Sequence, residues 1–255
     1  SAASDVYKRQ VLEKELSKPY EMIDMVTTPD GSLVAMVHCN NCTSDLNAWI
    51  NLFKEYQKLL GIPVDMNELY GKLYNHALAG DADCGGLISY NYISGEPVTG
   101  LADGRPLFVR SANDKFNLAN FMRTHLYASV GVLKIGNDIL FNEEKIKVDR
   151  ITGHGGLFKT KGVGQRILAA AINSPISVME TAGEGGAWGI ALLGSYLVNN
   201  EKNQSLADFL EDKVFAGDAG IEISPTAEDV AGFNTYIENY KAGLPVEEAA
   251  TRFKK

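Results

Sequence analysis

The chain has 255 residues, of which 45% are hydrophobic and 22% are charged, a composition typical of a globular protein with a sizeable core. Its net charge of −8 argues against nucleic-acid and anionic-membrane partners, because both are held by clustered Lys and Arg. No apolar run approaches the roughly 20 residues that span a bilayer. No signal peptide opens the chain either, so we expect a cytoplasmic protein.

The three cysteines indicate reduced thiols, because the count is odd and no secretory signal precedes them. Cys39 and Cys42 form a CxxC motif, but a zinc site needs two more ligands, and the other Cys and His residues are scattered singly. We therefore expect no metal site, with redox or metal use as the lesser alternative. Cys39 is expected to end a strand that leads into a helix capped by Thr43 or Ser44.

The first ten residues look foreign to the chain. Residues 1–10 contain small polar residues and then Lys8-Arg9-Gln10, with no cap or turn signal, so we interpret them as a non-native head that replaces natural upstream sequence. Structure is expected to begin afterwards. Residues 21–28 and 33–39 flank Pro29-Asp30-Gly31, a pattern that predicts a β-hairpin with Asp-Gly at its turn.

Helical periodicity follows the hairpin. Apolar residues recur at steps of three and four before Gly61 and Pro63, which are stop signals. They are Leu46, Trp49, Ile50, Phe53 and Tyr56. A second helix is predicted over residues 67–79 after Asp65. A strand, a long loop and a strand are predicted over residues 87–109.

A long amphipathic helix is predicted next, capped by Asn113 or Asp114 and running to about residue 140. Two strand-turn-helix units follow, with strands at 147–152 and 175–180 and helices at 165–172 and 187–198. Two successive units of this kind favour an α/β fold with ligands at the carboxyl ends of strands.

The tail is predicted to be mainly helical. A loop is expected at residues 221–225, then a helix at 227–241 and a short one from Pro245. No linker rich in Pro, Gly or Ser divides the chain. The predicted organisation is a head at 1–10, one domain at 11–200 and a helical extension of that domain at 201–255.

The glycines in residues 153–160 are the first candidate for chemistry. Between a strand and a helix, glycines permit positive φ and let backbone N–H groups approach a ligand, while the helix N-terminus favours phosphate. The spacing is neither a Walker A motif nor a Rossmann fingerprint. A tight turn that lets the helix pack closely explains this single cluster equally well.

A second glycine cluster, at residues 183–189, opens the following helix. Each glycine inside a helix costs about 1 kcal/mol relative to alanine, so something is expected to come close. The neighbour could be a ligand, a partner helix or the first glycine turn. We favour structural support of the cleft by Gly185 and Gly186 over direct contact with phosphate.

Three patches in order carry a resemblance to a known family. They are Gly155-Gly156-x-x-Lys159-Thr160 with the Gln165 helix, residues 184–193 (EGGAWGIALL), and residues 86–97 with Tyr-Ile-Ser-Gly-Glu. Together they resemble the C-terminal domain of the FGGY carbohydrate kinases, with xylulose kinases as the nearest branch. The resemblance implies an actin-like, ribonuclease-H-related α/β fold with a mixed sheet flanked by helices.

The resemblance also implies a function. In this family two actin-like domains close over ATP and Mg²⁺, and a sugar hydroxyl, here of xylulose or a related pentulose, is phosphorylated. The nucleotide would contact Gly155, Gly156, Lys159 and Thr160. His154 stands where many members have a third glycine, either beside adenine or, as we favour, in a solvent-facing loop.

Two departures from the family pattern matter. In the family, the phosphate-binding hairpin would lie just before Val11 and the catalytic aspartate further upstream, and neither is found in this sequence. We therefore assign no catalytic residue and expect the chain to be incomplete and inactive alone. Asp81 imitates the Gly-Asp pattern of the base, but its position favours turn formation after Gly80. The family brings the loop with Ser94-Gly95-Glu96 near the cleft, but we assign it no contact, because a Ser-Gly-Glu-Pro sequence is also that of an ordinary surface turn.

The leading hypothesis is therefore the nucleotide-binding half of an ATP-dependent sugar kinase, whose partners are the sugar, ATP and an absent N-terminal actin-like domain. The alternative is a non-catalytic actin-like module that binds nucleotide in a regulatory or scaffolding role. A third interpretation is an unrelated α/β protein with fortuitous glycines.

Overall fold

The predicted hairpin is present in the computed structural model, which describes residues 6–179, 185–200, 204–216 and 220–253. The first sheet contains β1 (Val6–Val11), β2 (Asp24–Thr27) and β3 (Leu33–Cys39), in the order β1-β3-β2. All pairings are antiparallel, and Val26 lies opposite Val34. At the turn Gly31 has a φ of 92°, which an Asp-Gly hairpin favours.

The start of the chain corrects one expectation. β1 pairs with β3 along its whole length, from Val6 opposite Cys39 to Val11 opposite Val34. The expectation that structure begins only after residue 10 is therefore wrong for residues 6–10, because the exposed edge of β3 offers backbone groups that any extended segment can pair with. Residues 1–5 lie outside the described residues.

Three long helices follow, and their caps explain where they begin. They are α1 (Ser44–Leu59), α2 (Met66–Ala77) and α3 (Leu118–Asp138). Asp65 caps α2 by accepting hydrogen bonds from the backbone N–H groups of the helix, whereas Thr43 occupies the N-cap position of α1 without a capping hydrogen bond from its side chain. The cap of α3 is Asn117, not Asn113 or Asp114 as predicted, because the carboxylate of Asp114 is used within the preceding loop by Ser111.

The rest of the chain alternates short strands and helices. The strands are β4 (Ile88–Tyr90), β5 (Leu107–Val109), β6 (Ile176–Val178) and β7 (Ile221–Ile223), and the helices are α4 (Val163–Ile172), α5 (Gly185–Asn199), α6 (Leu206–Phe209) and α7 (Ala227–Thr251). β4 pairs with β5 and β6 with β7, both antiparallel. The predicted α/β class is confirmed, with the strands divided among small sheets.

Two predicted elements near the second half of the chain differ from the structure. Residues 147–152 do not form a strand: only a single parallel bridge joins Thr152 to Ser177, because no strand lies beside the charged residues before it. Residues 221–225 are not a loop, since their first part is β7, which pairs with β6. β6 thus carries a parallel bridge on one side and an antiparallel strand on the other.

The tail forms one long helix where two were predicted. α7 continues through Pro245 to Thr251. Proline lacks a backbone N–H and disfavours a helix interior. Glu247 and Ala250 are nevertheless buried against the rest of the protein, and this packing keeps the last turns helical.

The core is built around α3, of which 17 of 21 residues are buried. α7 packs against it through large aromatic side chains, and fully buried members of this cluster are Tyr90, Tyr92, Tyr127, Phe233, Tyr236 and Tyr240. Along the described stretches of the chain, no helix has the length and apolar character needed to cross a membrane.

A buried charge network fixes α4 in this framework. The Asp229 carboxylate of α7 accepts hydrogen bonds from Arg123 of α3 at 2.6 Å and from Arg166 of α4 at 2.7 Å. These contacts favour the charged form, so the pKa of Asp229 is lowered although its burial opposes this. α4 follows directly on residues 153–160 and is therefore held rigidly behind the first glycine turn.

Candidate functional site

A cleft of about 1600 Å³ lies beside the first glycine turn. One wall is the continuous segment 144–160, and the remaining lining comes from β1 and the residues after it, from the start of α1, and from α2, α3 and α4. Small-molecule sites typically occupy roughly 300–1,000 Å³. The cleft is therefore large enough for a ligand of the size of a nucleotide.

The glycine turn is anchored at its start and open in its middle. The Gly153 N–H donates to the Ser177 carbonyl at 2.8 Å, which ties the turn to β6. Gly155 has a φ of 104°, a conformation that side chains disfavour. At Gly155 and Gly156 an added Cβ would meet nothing within 4 Å among the described residues. The backbone at these two residues thus presents an open surface to the cleft.

The turn runs directly into α4, which holds it in place. Gly164, in the first turn of this helix, lies so close to the turn that an added Cβ would be 2.5 Å from the Leu157 carbonyl oxygen. The Gln165 side chain donates to the carbonyls of Ile176 and Ile221, joining α4 to both strands of its sheet. The conformation of the turn is therefore fixed by contacts within the chain.

The cleft wall carries positive charge although the whole chain is acidic. Along residues 144–160 four basic side chains line the cleft: Lys145, Lys147, Arg150 and Lys159. Glu144 and Asp149 are the acidic residues of the same segment. Ser17 and Tyr20 donate hydrogen bonds to Glu144, which lowers its pKa and partly satisfies its carboxylate. A basic wall with open backbone suits an anionic ligand such as a phosphate ester.

The structure brings together the four residues predicted to bind nucleotide. Gly155, Gly156, Lys159 and Thr160 all line the cleft. His154 lies beside them with an exposed side chain, as expected of a loop residue.

The second glycine cluster is placed differently. Gly185 and Gly186 begin α5, and Gly186 is not among the described residues that line the cleft. An added Cβ at Gly186 or Gly189 would meet no described atom within 4 Å. The tight packing that we expected at these glycines is thus not found within the described chain, and support of the cleft by Gly185 and Gly186 stays a prediction. Gly183 and Glu184 lie outside the described residues.

Sequence reasoning missed the polar side chains across the cleft. Thr43 and Asn47 from the start of α1, and Asn67 and Tyr70 from α2, line it. The Tyr70 hydroxyl donates to the Asn47 side-chain carbonyl at 2.9 Å. Only the packing of α1 against α2 brings these residues together. Their sequence positions give no signal of it.

Asp81 and Glu96 have structural roles. Asp81 pairs with Lys115 at 3.0 Å and accepts a hydrogen bond from Asn120, contacts that lower its pKa, and it lies outside the cleft lining. The turn interpretation is thus supported. Glu96, to which the sequence assigned no contact, is fully buried and accepts hydrogen bonds from the backbone N–H groups of Asn40 and Asn41, so this is not an ordinary surface turn. Burial raises its pKa.

The residues present do not form a metal cage. Within the described ranges, no group of three His, Cys, Asp or Glu side chains is placed to hold an ion. Cys39 and Cys42 are both buried, and burial raises the pKa of Cys39 well above its ordinary value, so it is an unreactive thiol.

Comparisons with known proteins agree with this architecture. Residues 11–198 match the model of the C-terminal domain of the FGGY family of carbohydrate kinases. A comparison with curated protein sequences finds no match.

Solved structures with a similar fold include ligand-bound xylulose kinase from Lactobacillus acidophilus, with a TM-score of 0.71, 16% identity, and coverage of 98% of this chain and 46% of the kinase. Gluconate kinase from the same organism has a TM-score of 0.71 and 17% identity, with coverage of 99% of this chain and 48% of the kinase. Plasmodium falciparum glycerol kinase with ADP has a TM-score of 0.68 and 14% identity, with coverage of 96% of this chain and 46% of the kinase. This chain thus spans about half the length of these kinases.

Proposed function

The chain belongs to the FGGY family of carbohydrate kinases, and from this premise we propose that it forms the nucleotide-binding half of an ATP-dependent sugar kinase. The observation that carries the proposal is the glycine turn on the cleft wall. Gly155 and Gly156 leave the backbone open there, and Lys159 and Thr160 line the same wall.

The residues of the cleft fit a nucleotide. The unobstructed backbone at Gly155 and Gly156 can lie against the planar nucleobase. Lys145, Lys147 and Lys159 supply positive charge for the phosphates. Bound ATP would supply the phosphoryl group that is transferred. The residues themselves bind and orient the nucleotide, and these are the roles that dominate phosphoryl-transfer catalysis.

Mg²⁺ needs a different account, because the described residues form no cage for it. Magnesium in kinase sites is usually held by substrate phosphates, waters and one or two carboxylates. We propose that the ion enters with the nucleotide.

The transfer step needs groups beyond this cleft wall. The sugar oxygen forms a bond to the γ-phosphorus, the bond to the β-phosphate oxygen breaks, and the hydroxyl proton passes to a base. We propose that a second actin-like domain supplies this base and most contacts to the sugar. Xylulose or a related pentulose is the favoured acceptor, since xylulose kinases recur among the structural relatives.

Replacement of Gly156 tests the proposal. Gly156→Val places a branched side chain in open space over the turn, so it should block the nucleotide without disturbing the fold. Isothermal titration calorimetry should show ADP binding by the unmodified chain. For the variant we expect affinity lower by about tenfold or more, or ~1.4 kcal/mol. The thermal unfolding midpoint should not change.

The matched control is Gly71→Val on α2, where an added Cβ also meets nothing within 4 Å but the residue is not part of the cleft. It should bind ADP as the unmodified chain does. In a coupled assay with ATP and D-xylulose, the unmodified chain alone should give no robust turnover. Absence of ADP binding, or equal affinity in the Gly156 variant, would reject the proposed nucleotide site, and rapid turnover would reject the need for a second domain.

A further inference from the structure

His154 occupies a controlled position at the rim of the cleft. The backbone N–H of the preceding Gly153 is bonded to Ser177, and Gly155 turns the chain immediately afterwards with its φ of 104°. Gly153 itself leaves no room for rearrangement, because the Phe158 ring lies where a Cβ would be, at 2.6 Å. The imidazole is therefore presented to the cleft from an anchored backbone.

The surface next to this imidazole suits a planar ring. The backbone of Gly155 and Gly156 has no described neighbour within 4 Å of an added Cβ, so it leaves space against which a ring can lie. An aromatic ligand lying on that backbone would have the His154 ring directly alongside, since the three residues are consecutive and all line the cleft.

The imidazole is poorly suited to holding a phosphate. Partial desolvation by the surrounding protein lowers the pKa of His154 below its ordinary value, which favours the neutral ring. Lys145, Lys147 and Lys159 already provide permanent positive charge on the same wall. A neutral aromatic ring instead offers its face to a nucleobase, and stacking of this kind is a common mode of base recognition.

We infer that His154 is a nucleobase-contacting residue, which stacks beside a purine lying on the Gly155–Gly156 backbone and increases the affinity of the cleft for nucleosides over bare polyphosphates. This inference rests on the proposed nucleotide site and adds to it the residue that recognises the base. Of the two alternatives that the sequence left for His154, it selects the place beside the base rather than the solvent-facing loop role that we favoured.

The test compares two probes on three variants. Isothermal titration calorimetry with ADP and with inorganic tripolyphosphate should be performed on His154→Ala, His154→Phe and the unmodified chain. His154→Ala should weaken ADP binding by about fivefold or more, as expected for loss of one stacking contact, and should leave tripolyphosphate binding unchanged. His154→Phe retains an aromatic face and should restore most of the ADP affinity.

The matched control is His76→Ala, an exposed histidine on α2 that is not part of the cleft, and both probes should bind it as they bind the unmodified chain. Equal ADP affinity in His154→Ala and the unmodified chain would overturn the inference while leaving the proposed site intact. A parallel loss of ADP and tripolyphosphate would assign His154 to phosphate and overturn it as well. If the unmodified chain does not bind ADP, both the inference and the proposed function fail.

Discussion

The two glycine-rich segments of this chain look alike in sequence and differ in structure. In residues 153–164, three positions require glycine: an added Cβ would collide with the Phe158 ring at Gly153 and with the Leu157 carbonyl at Gly164, and Gly155 has a positive φ, whereas Gly156 is open. In α5, by contrast, an added Cβ at Gly186, Gly189 or Gly194 meets no described atom within 4 Å. A glycine cluster before a helix is therefore not by itself evidence that another part of the chain packs closely against that helix.

The helices that follow the two clusters differ in the same way. Nine of the ten residues of α4 are buried, whereas α5 has exposed Ile190, Leu197 and Val198 with accessible fractions of 71%, 77% and 82%. α5 carries no charged residue and contacts the segment after it through two aromatic pairs, Trp188 with Phe215 and Tyr196 with Phe209. Burial therefore stabilises α4, whereas the contacts found for α5 among the described residues are local ones, these aromatic pairs and the hydrogen bond from the Tyr196 hydroxyl to the Gln204 carbonyl.

Hydrogen exchange should show the largest effect of this difference. Local stability follows burial and contact density, so amides of α5 should exchange at least about 100-fold faster than those of α4. Hydrogen–deuterium exchange mass spectrometry on the 255-residue chain measures both helices in one experiment. The amides of α3, which is also deeply buried, should exchange as slowly as those of α4. Equal protection in α4 and α5 would show that α5 is as firmly packed as α4, and the comparison would fail.

A single added methyl group should separate the two clusters by stability. In Gly164→Ala the new Cβ would lie 2.5 Å from a backbone oxygen, which cannot move without shifting the turn. We expect a loss of about 1–3 kcal/mol in the free energy of unfolding, the usual cost of overpacking. Urea denaturation followed by circular dichroism measures it.

The control for this variant is Gly71→Ala on α2, where the same methyl group enters open space. It should not lower the free energy of unfolding, because alanine favours a helix more than glycine does. If Gly164→Ala were as stable as the unmodified chain, the turn would be adaptable, and its open backbone would be a weaker basis for a preformed nucleotide site.

The sequence predicted elements well where local signals dominate. The spacing of Leu46, Trp49 and Ile50 predicted α1, and Asp65 predicted the start of α2, because periodicity and capping depend on neighbours in the chain. Elements that depend on distant partners were predicted poorly. β7 forms because β6 lies beside it, whereas residues 147–152 have one bridge, from Thr152 to Ser177, among the described residues, and this is too little pairing for a strand. The head strand β1 exists for the same reason as β7.

The candidate site shows the same contrast between residues set by local sequence signals and residues brought together by distant contacts. Its glycine turn was predicted because three glycines and a lysine lie within eight consecutive residues, 153–160. The opposite wall, with Asn47 and Tyr70, was missed because it is assembled from helices more than 80 positions earlier in the chain. The burial of Glu96 was missed for a further reason: a Ser-Gly-Glu-Pro sequence has the same local signature whether or not the backbone N–H groups of a distant segment reach its carboxylate.

The smallest expected effect is the most specific test of the α5 cluster. Gly189→Ala adds a methyl group in open space inside a helix, so it should stabilise α5 by about 0.5–1 kcal/mol. Because α5 is expected to open separately from the core, this gain should appear as amide exchange slowed about two- to fivefold within Gly185–Asn199, while the urea midpoint of the whole chain stays the same. Faster exchange in the variant would reveal a close neighbour at Gly189, and the two glycine clusters would then be alike after all.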